Sequence, residues 1–274
     1  MSIIVISAWP YCQGDEIAQG VANRLDYRTL GPELLQQVAR ESQASPSRLA
    51  TALGKEAPLL GLPPKERARL LAHLEAAVLA GLGEDKTVTW GLVAHLYITG
   101  VSHVLKVRLL RAREERVAGK AAAEGLSRSA AEKALRRQDE ARARLAAEVY
   151  RKDEADPGLY DLTINLAQID VDQAVGLIAD TAGHKRFKPM TFSRQLLKDK
   201  ALAAAVRAAL VDRHPEALVS AESGLIKVTV QAVRRDQEKK LSAVREAAAA
   251  MGGVRSVEVE LIEDYFQSAA ESMR

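Results

Sequence analysis

The stretch SIIVISAWPYCQGDEIA, residues 2–18, decides the fold of this chain. It opens with four consecutive β-branched residues, 3–6, and such a run is typical of a buried parallel strand. A polar loop follows, and from Ile17 to Leu25 the apolar residues recur at the spacing of an amphipathic helix. The sequence therefore predicts a strand, a tight loop and a helix N-terminus in direct succession.

This succession is the layout of a phosphate-binding P-loop. The motif GxxxxGK[ST] needs glycines for close backbone approach, a lysine for the β- and γ-phosphates and a hydroxyl group for Mg²⁺. Here Gly14 and Asp15 stand where the lysine and the Ser/Thr belong. Asp15 is better explained as an acidic residue at a helix N-terminus, where it would repel phosphate, than as a magnesium ligand. The layout of a nucleotide site is thus predicted without its main cation.

Composition narrows the class of protein. The chain has 274 residues, 47% of them apolar and 27% charged, as expected for a globular protein of one or two domains. One cysteine and no apolar run of membrane-spanning length favour a cytoplasmic protein without a transmembrane segment. The net charge of +3 is too small to predict a nucleic-acid partner, although 14 Lys/Arg against 7 Asp/Glu lie in residues 103–152.

Strand-like runs alternate with helical patterns up to about residue 182, and this alternation predicts a parallel α/β sheet flanked by helices. The further strands are expected at residues 87–93, 103–109 and 162–166. Ser129 with Glu132 matches a capping box, and Asp170 with Gln173 matches another.

The pattern changes after a polar, basic linker at residues 183–193. Residues 194–264 follow the order αββαβ and predict a second, small α+β domain, with a tail at 265–274. The predicted domains are therefore 1–182 and 194–264.

The first domain resembles the cytidylate kinase-like family, relatives of bacterial cytidylate kinase within the nucleoside monophosphate kinases. The resemblance spans Met1 to Ala182 and is carried by IIVISAWPYCQGDEIAQGVANRLDY, HVLKVRLLRAREERV, LSRSAAEKALRRQDEARAR, DPGLYDLTINL and VDQAVGLI. It implies a P-loop nucleotide-kinase-like fold, with ATP and Mg²⁺ as cofactors and a CMP-type acceptor. Members often have a glycine-rich loop that lacks the lysine, and this chain also replaces loop glycines with Tyr11 and Gln13.

The resemblance further implies a set of roles. Arg116 would be the helix arginine behind the base-side strand, and arginines of a lid helix would close over the phosphates, with Asp139 orienting one of them. The residues it assigns to catalysis are Arg116, Arg137, Asp139 and Arg142. The residues it assigns to ligand contact are Ser7, Tyr11, Cys12, Gln13, Gly14, Asp15 and Arg144. The alternative for the lid helix, which also includes Arg136, is a solvated surface with salt bridges.

The acceptor side of the site is weak as well. Cytidylate kinases place a Gly-Arg pair after the strand that corresponds to residues 87–90, and here Leu92 stands at the arginine position. Leucine cannot replace a bidentate guanidinium on a phosphate.

Cys12 near a helix N-terminus could have a lowered pKa, or could be a small packing residue. Trp9 and Tyr11 could stack on a base, or either could cover the top of the sheet. The five histidines show no metal-ligand spacing.

Residues 194–264 are similar to BON modules, small α+β units usually linked to ligand or phospholipid binding. The leading hypothesis is a nucleotide- or anion-binding pseudoenzyme that acts as a sensor or scaffold, with a small ligand or a protein at the second domain. Two alternatives stay open, an active nucleoside monophosphate kinase and an assembly module without a ligand. The sequence leaves a homo-oligomer open.

Overall fold

The computed structural model of the chain describes residues 2–53, 62–232 and 237–263. Contacts between residues divide the chain into two compact units. The first consists of Met1–Leu62 and Glu84–Arg194, and the second of Pro63–Gly83 and Gln195–Arg274. This division differs from the sequence-based bounds at residues 63–83, and those bounds stay a prediction. The predicted tail, 265–274, lies outside the described residues.

A five-stranded parallel sheet forms the centre of the first unit, in the order β2-β3-β1-β4-β5. Its strands are β1 (Ile3–Ala8), β2 (Arg28–Leu30), β3 (Thr87–Trp90), β4 (Val104–Leu110) and β5 (Leu162–Asn165). Ile3 lies opposite Thr87 on one side and Val104 on the other, so β1 is a central strand. Its five leading residues are all buried, which explains why the run is apolar on both faces. The predicted parallel sheet is confirmed.

The described residues contain ten α-helices. They are α1 (Gly14–Leu25), α2 (Leu34–Glu41), α3 (Pro46–Ala52), α4 (Pro64–Gly81), α5 (Ala94–Tyr97), α6 (Arg113–Glu124), α7 (Arg128–Tyr150), α8 (Val171–Ala182), α9 (Thr191–Leu210) and α10 (Gln237–Ala249). The predicted linker holds a 3-10 turn, Lys185–Phe187, and the first residues of α9. Among the described residues, no helix combines the length and the apolar character that crossing a membrane requires.

Two of these helix starts test the predicted capping boxes. The box at Asp170 is confirmed, because its carboxylate accepts from the Gln173 amide and the Gln173 side chain accepts from the Asp170 amide. The box at Ser129 is wrong. α7 begins at Arg128, two residues before the predicted start. Its N-cap is Ser127, whose hydroxyl accepts from the Ala130 amide.

The core of the first unit lies between the sheet and the helices α1 and α8. Ile4 and Ile6 of β1 pack with Ile17 and Val21 of α1 and with Ile178 of α8, all nearly or fully buried. Burial of each such side chain contributes about 1.5–3 kcal/mol. This packing fixes the position of α1 and therefore of the loop that joins it to β1.

The second unit contains a three-stranded sheet in the order β6-β7-β8. Its strands are β6 (Leu218–Glu222), β7 (Leu225–Ala232) and β8 (Ser256–Glu263), with β6 antiparallel and β8 parallel to β7. Val206 and Leu210 of α9 and Val244 of α10 belong to its core. The predicted order αββαβ is therefore observed for α9 to β8.

Candidate functional site

The loop between β1 and α1 keeps a glycine-type backbone without its glycines. Tyr11 and Gln13 have φ values of 64° and 51°, in the left-handed region. That region costs a residue with a β-carbon about 1–2 kcal/mol, whereas glycine enters it freely. The family resemblance puts loop glycines at these two positions, so both residues carry the strain of a backbone conformation that suits glycine.

Side-chain contacts hold both strained residues in place. The Tyr11 hydroxyl donates to the Glu124 carboxylate, and the Lys120 ammonium lies 5.4 Å from the centre of the Tyr11 ring. Burial, together with the bond to and the charge of Glu124, raises the pKa of Tyr11 to about 12. Gln13 accepts from Arg111 NH1 at 2.6 Å and donates to Glu16 at 2.9 Å. The loop is therefore anchored to α6 and to Arg111, the residue that follows β4, as well as to α1.

Position 14, where the P-loop motif has its lysine, is closed to any larger residue. A β-carbon placed on Gly14 would lie 2.4 Å from the β-carbon of Ala8. Real β-carbons essentially never approach so closely, and the Gly14 backbone cannot move because α1 is fixed by its core packing. Ala8 stands at the first glycine of the motif, so the two replacements depend on each other.

The N-terminus of α1 carries negative side chains. Gln13 is the N-cap residue but makes no capping hydrogen bond with its side chain, which is engaged with Arg111 and Glu16. Asp15 and Glu16 occupy the first helical turn, and both are exposed. They complement the helix dipole, and they also oppose a phosphate at this place.

Arg116 of α6 ties the loop to the α7 helix. Its Nε donates to the Pro10 carbonyl at 2.9 Å, and NH1 and NH2 form a bidentate pair with Asp139 at 3.0 and 2.7 Å. Its guanidinium also lies 5.2 Å from the centre of the Trp9 ring. The structure therefore joins two of the predicted site residues, Arg116 and Asp139, in an ion pair. Through the bond from Arg116 to the Pro10 carbonyl, this pair holds the loop in position.

Arg142 of α7 lies at the end of β1 in a buried polar cluster. Its NH1 donates to the Ala8 carbonyl at 2.7 Å, NH2 donates to the Ser7 hydroxyl at 3.0 Å, and Nε donates to the Glu154 carboxylate at 2.8 Å. The Glu154 carboxylate also binds His95 Nε2 at 2.9 Å. All three nitrogens of the Arg142 guanidinium are thus used by the protein.

The charges in this cluster follow from its burial. Burial alone would raise the pKa of Glu154, but the Arg142 charge and the His95 hydrogen bond outweigh it and hold the pKa well below its usual range. Burial lowers the pKa of His95 more than the Glu154 charge raises it. Glu154 is therefore ionised, and a neutral His95 donates to it from Nε2.

The other lid arginines lie away from the loop. Arg137 is exposed, and Arg136 and Arg144 are within 4 Å of Glu140 on the same helix. Such exposed pairs contribute about 0–1 kcal/mol. For these residues the structure has the solvated, salt-bridged surface that was the alternative, and it brings only Arg142 of the four to the loop.

Cys12 and Leu92 are both packing residues. Cys12 is buried, and this burial raises the pKa of its thiol, although Arg116 and a backbone bond act the other way. Of the two alternatives for Cys12, the structure therefore fits the packing residue and not a thiol with a lowered pKa. Leu92 is also buried, while its neighbours Trp90, Gly91 and Val93 line a cavity. The position of the expected acceptor arginine thus points into the core.

This cavity, of about 990 Å³, lies within the first unit at the carboxyl ends of β1, β3 and β4. Such an edge, where the strand order reverses, is where open α/β sheets bind ligands. The loop residues from Ala8 to Asp15 form one wall, and Arg111, Glu115 and Gly119 belong to another. Ser7 lies beneath the loop, and neither Arg137 nor Arg144 lines the cavity.

Sequence reasoning missed three residues of this region, His95, Glu154 and Arg111. His95 and Glu154 are 59 residues apart in the sequence, and their side chains come into contact only in the folded protein. No spacing rule connects them, and the sequence carries no signal that Arg142 is the buried arginine that requires a carboxylate partner. Arg111 follows β4 directly, and its place at a carboxyl edge could have been deduced from the predicted strand.

The parallel order β2-β3-β1-β4-β5, with a strand–loop–helix at the central strand, defines the first unit as an α/β fold of the P-loop kinase class. The model of the cytidylate kinase-like family matches residues 3–168, and the chain belongs to that family.

A solved structure with a TM-score of 0.50 shares this fold at low identity. The chain is similar to an uncharacterized protein from Eubacterium ventriosum (18% identity, TM-score 0.50, 66% of this chain and 97% of that chain). It is also similar to a protein from Thermus thermophilus (19%, 0.42, 66% and 96%) and to shikimate kinase from Acinetobacter baumannii in complex with shikimate (15%, 0.39, 66% and 90%). A comparison with curated proteins gives no match.

Proposed function

We propose that the first unit binds a nucleotide-type ligand in the cavity at the carboxyl edge of its sheet and does not transfer phosphoryl groups at ordinary kinase rates. Family membership and the position of the cavity support binding. The charges around the loop support the loss of transfer.

One observation carries the second half of the proposal. Phosphoryl transfer depends on cations that stabilise the charge of the transferring group. Position 14 is a glycine, and the β-carbon of Ala8 excludes a lysine there. The buried Arg142 cannot substitute for it, because its donors hold Ala8, Ser7 and Glu154.

An active family member would use ATP with Mg²⁺. The donor set around the loop does not fit this pair, because Asp15 replaces the hydroxyl ligand and no cation lies on the loop itself. Among the described residues, no group of three or more His, Cys, Asp or Glu side chains could hold a metal ion.

The role of the whole chain follows from this proposal. A family fold that binds a ligand without turnover would act as a sensor or a scaffold, and the BON-like resemblance of residues 194–264 would place a small ligand or a protein partner at the second unit. The two alternatives are an active nucleoside monophosphate kinase and an assembly module without a ligand.

A titration with an activity assay separates the three. ATP, ADP, CMP, CDP and cytidine are titrated by calorimetry with and without Mg²⁺, and ADP formation from ATP is followed with and without CMP. We expect binding without CMP-dependent ADP formation. CMP-dependent turnover at about 1 s⁻¹ or faster, a rate typical of kinases, would overturn the proposal in favour of the enzyme. The absence of binding by every compound would leave the assembly module.

The steric argument at position 14 has its own test. Gly14→Ala adds one methyl group at a closed position and should destabilise the first unit by about 1–3 kcal/mol. Ala8→Gly with Gly14→Ala should recover most of that loss, since the two β-carbons exclude each other. Gly176→Ala serves as a control helix glycine, because a β-carbon there meets only the end of the Arg24 side chain, at 4.0 Å.

A further inference from the structure

The cavity of the first unit is lined by balanced charges. Among the described lining residues, four carry a formal charge, the carboxylates Asp15 and Glu115 and the guanidinium groups Arg111 and Arg142. Their sum is zero, and the charged groups directly behind the lining also sum to zero, since the carboxylates Glu154, Asp139 and Glu124 are matched by the cations Arg108, Arg116 and Lys120. A pocket for a polyphosphate would need an excess of cations.

Both cations are already engaged. Arg111 donates from Nε to Glu115 at 2.7 Å and from NH1 to Gln13 at 2.6 Å. Arg142 is held by Glu154 and by the end of β1. A phosphate that recruited Arg111 would have to separate it from Glu115 and would leave that carboxylate beside the phosphate.

The carboxylates are better placed to meet a ligand than the cations are. Asp15 is exposed in the first turn of α1, and in the described part of the chain no side chain forms a hydrogen bond or an ion pair with it. Glu115 is exposed on α6. Glu115 is paired with Arg111, so among the described lining residues Asp15 is the carboxylate without a counter-ion, at the place where a P-loop has a hydroxyl group beside its lysine.

The apolar lining suits a flat ring. Trp9, Tyr11 and Trp90 line the cavity together with Pro10, Pro32 and Leu53. Aromatic side chains stack on heteroaromatic rings, and this stacking does not depend on the charge of a phosphate. This lining can supply most of the affinity for a base, and the charged groups can supply little for a phosphate.

We infer that the cavity selects the nucleoside, a heteroaromatic ring on an uncharged sugar, and discriminates against each added phosphate. This inference rests on the proposed function and names the ligand class of that same site. Each phosphate adds at least one negative charge at neutral pH, and one such charge about 4 Å from a carboxylate weakens binding about fivefold in water. Affinity should therefore fall from nucleoside to triphosphate.

The chain provides its own reporter for this experiment. It has two tryptophans, Trp9 and Trp90, and both line the cavity, so quenching of tryptophan fluorescence measures occupancy of this site. Cytidine, CMP, CDP and CTP are titrated at low salt without Mg²⁺, with adenosine and its phosphates as a second series and calorimetry as a check on inner-filter effects. We expect the nucleoside to bind tightest in at least one series, with about a fivefold loss per phosphate that shrinks as salt is added.

A matched pair of variants tests the cause. Glu115→Gln removes one lining carboxylate and frees Arg111, so it should improve CTP binding about fivefold or more and leave cytidine binding within twofold. Glu114→Gln is the control, an adjacent exposed residue of α6 that does not line the cavity, and it should change neither. Equal effects of both variants on CTP would overturn the inference.

The failures are distinguishable. Affinity that rises with each phosphate would refute the nucleoside preference and leave nucleotide binding intact. No quenching and no heat with any compound of either series would refute the proposed function, and the inference would fall with it. ADP formation would refute only the absence of phosphoryl transfer.

Discussion

Removing the charge of Glu154 should destabilise the first unit more than any other isosteric change of a carboxylate described above. Its side chain is 1% exposed and pairs with Arg142, which is 12% exposed. Glu154→Gln keeps the shape and leaves a buried guanidinium without its counter-ion. Breaking a buried pair in this way costs about 3–5 kcal/mol. For a domain of this size class, that loss lowers Tm by about 6–20 °C.

Urea unfolding followed by tryptophan fluorescence is the appropriate assay, since both tryptophans belong to the first unit. Glu140→Gln is the matched control on α7, because Glu140 is 52% exposed and its arginine partners are 3.7 and 3.9 Å away. The control should lose no more than about 1 kcal/mol. Equal losses for the two variants would refute the reasoning.

A double variant separates charge from packing. Arg142→Met with Glu154→Leu removes the pair and fills its volume, and such replacements of buried pairs are often neutral or stabilising. It should recover most of the stability that Glu154→Gln loses. A double variant as unstable as the single one would show that the cluster acts through its hydrogen bonds to Ala8 and Ser7 and not through its charge balance.

Three further predictions follow from the same contacts. Acid should destabilise the first unit, because folding lowers the pKa values of both His95 and Glu154 and the unfolded chain therefore takes up more protons. The urea midpoint should fall as the pH drops below about 6.5 and again below about 4.3. A midpoint that is flat from neutral pH to pH ~4 would contradict this. Cys12 should react with a thiol reagent at least about 100-fold more slowly in the native protein than in urea, because burial requires an opening step; equal rates would show an accessible thiol. Ser127→Ala should cost about 1 kcal/mol of stability and Ser129→Ala close to nothing, measured by the same urea assay, because Ser127 provides the cap of α7; the reverse order would restore the predicted capping box.

The sequence predicted the parts of the fold that depend on local pattern. β1 was evident from its β-branched run, and α8 from the capping box at Asp170. The strand at residues 103–109 was placed within one or two residues of β4. These elements agree with their prediction because a period, a cap or a run of apolar residues is a property of neighbours along the chain.

The site was less predictable because its contacts join distant residues. The loop shape could be expected from the succession of strand and helix, yet the strain at Tyr11 and Gln13 appears only as backbone angles. The partners of Arg142 lie on other elements, and charge spacing along α7 could not identify which arginine is buried. From the sequence, Cys12 could be a thiol with a lowered pKa or a small packing residue, and only its burial, which raises the pKa, distinguishes the two.

The closeness of Ala8 to Gly14 also limits how this loop can be engineered. With alanine at position 8, a lysine at position 14 would bring its β-carbon to 2.4 Å from the β-carbon of Ala8. Glycine at position 8 alone adds no cation, and lysine at position 14 alone does not fit. A P-loop lysine can therefore be introduced into this chain only by changing both positions together.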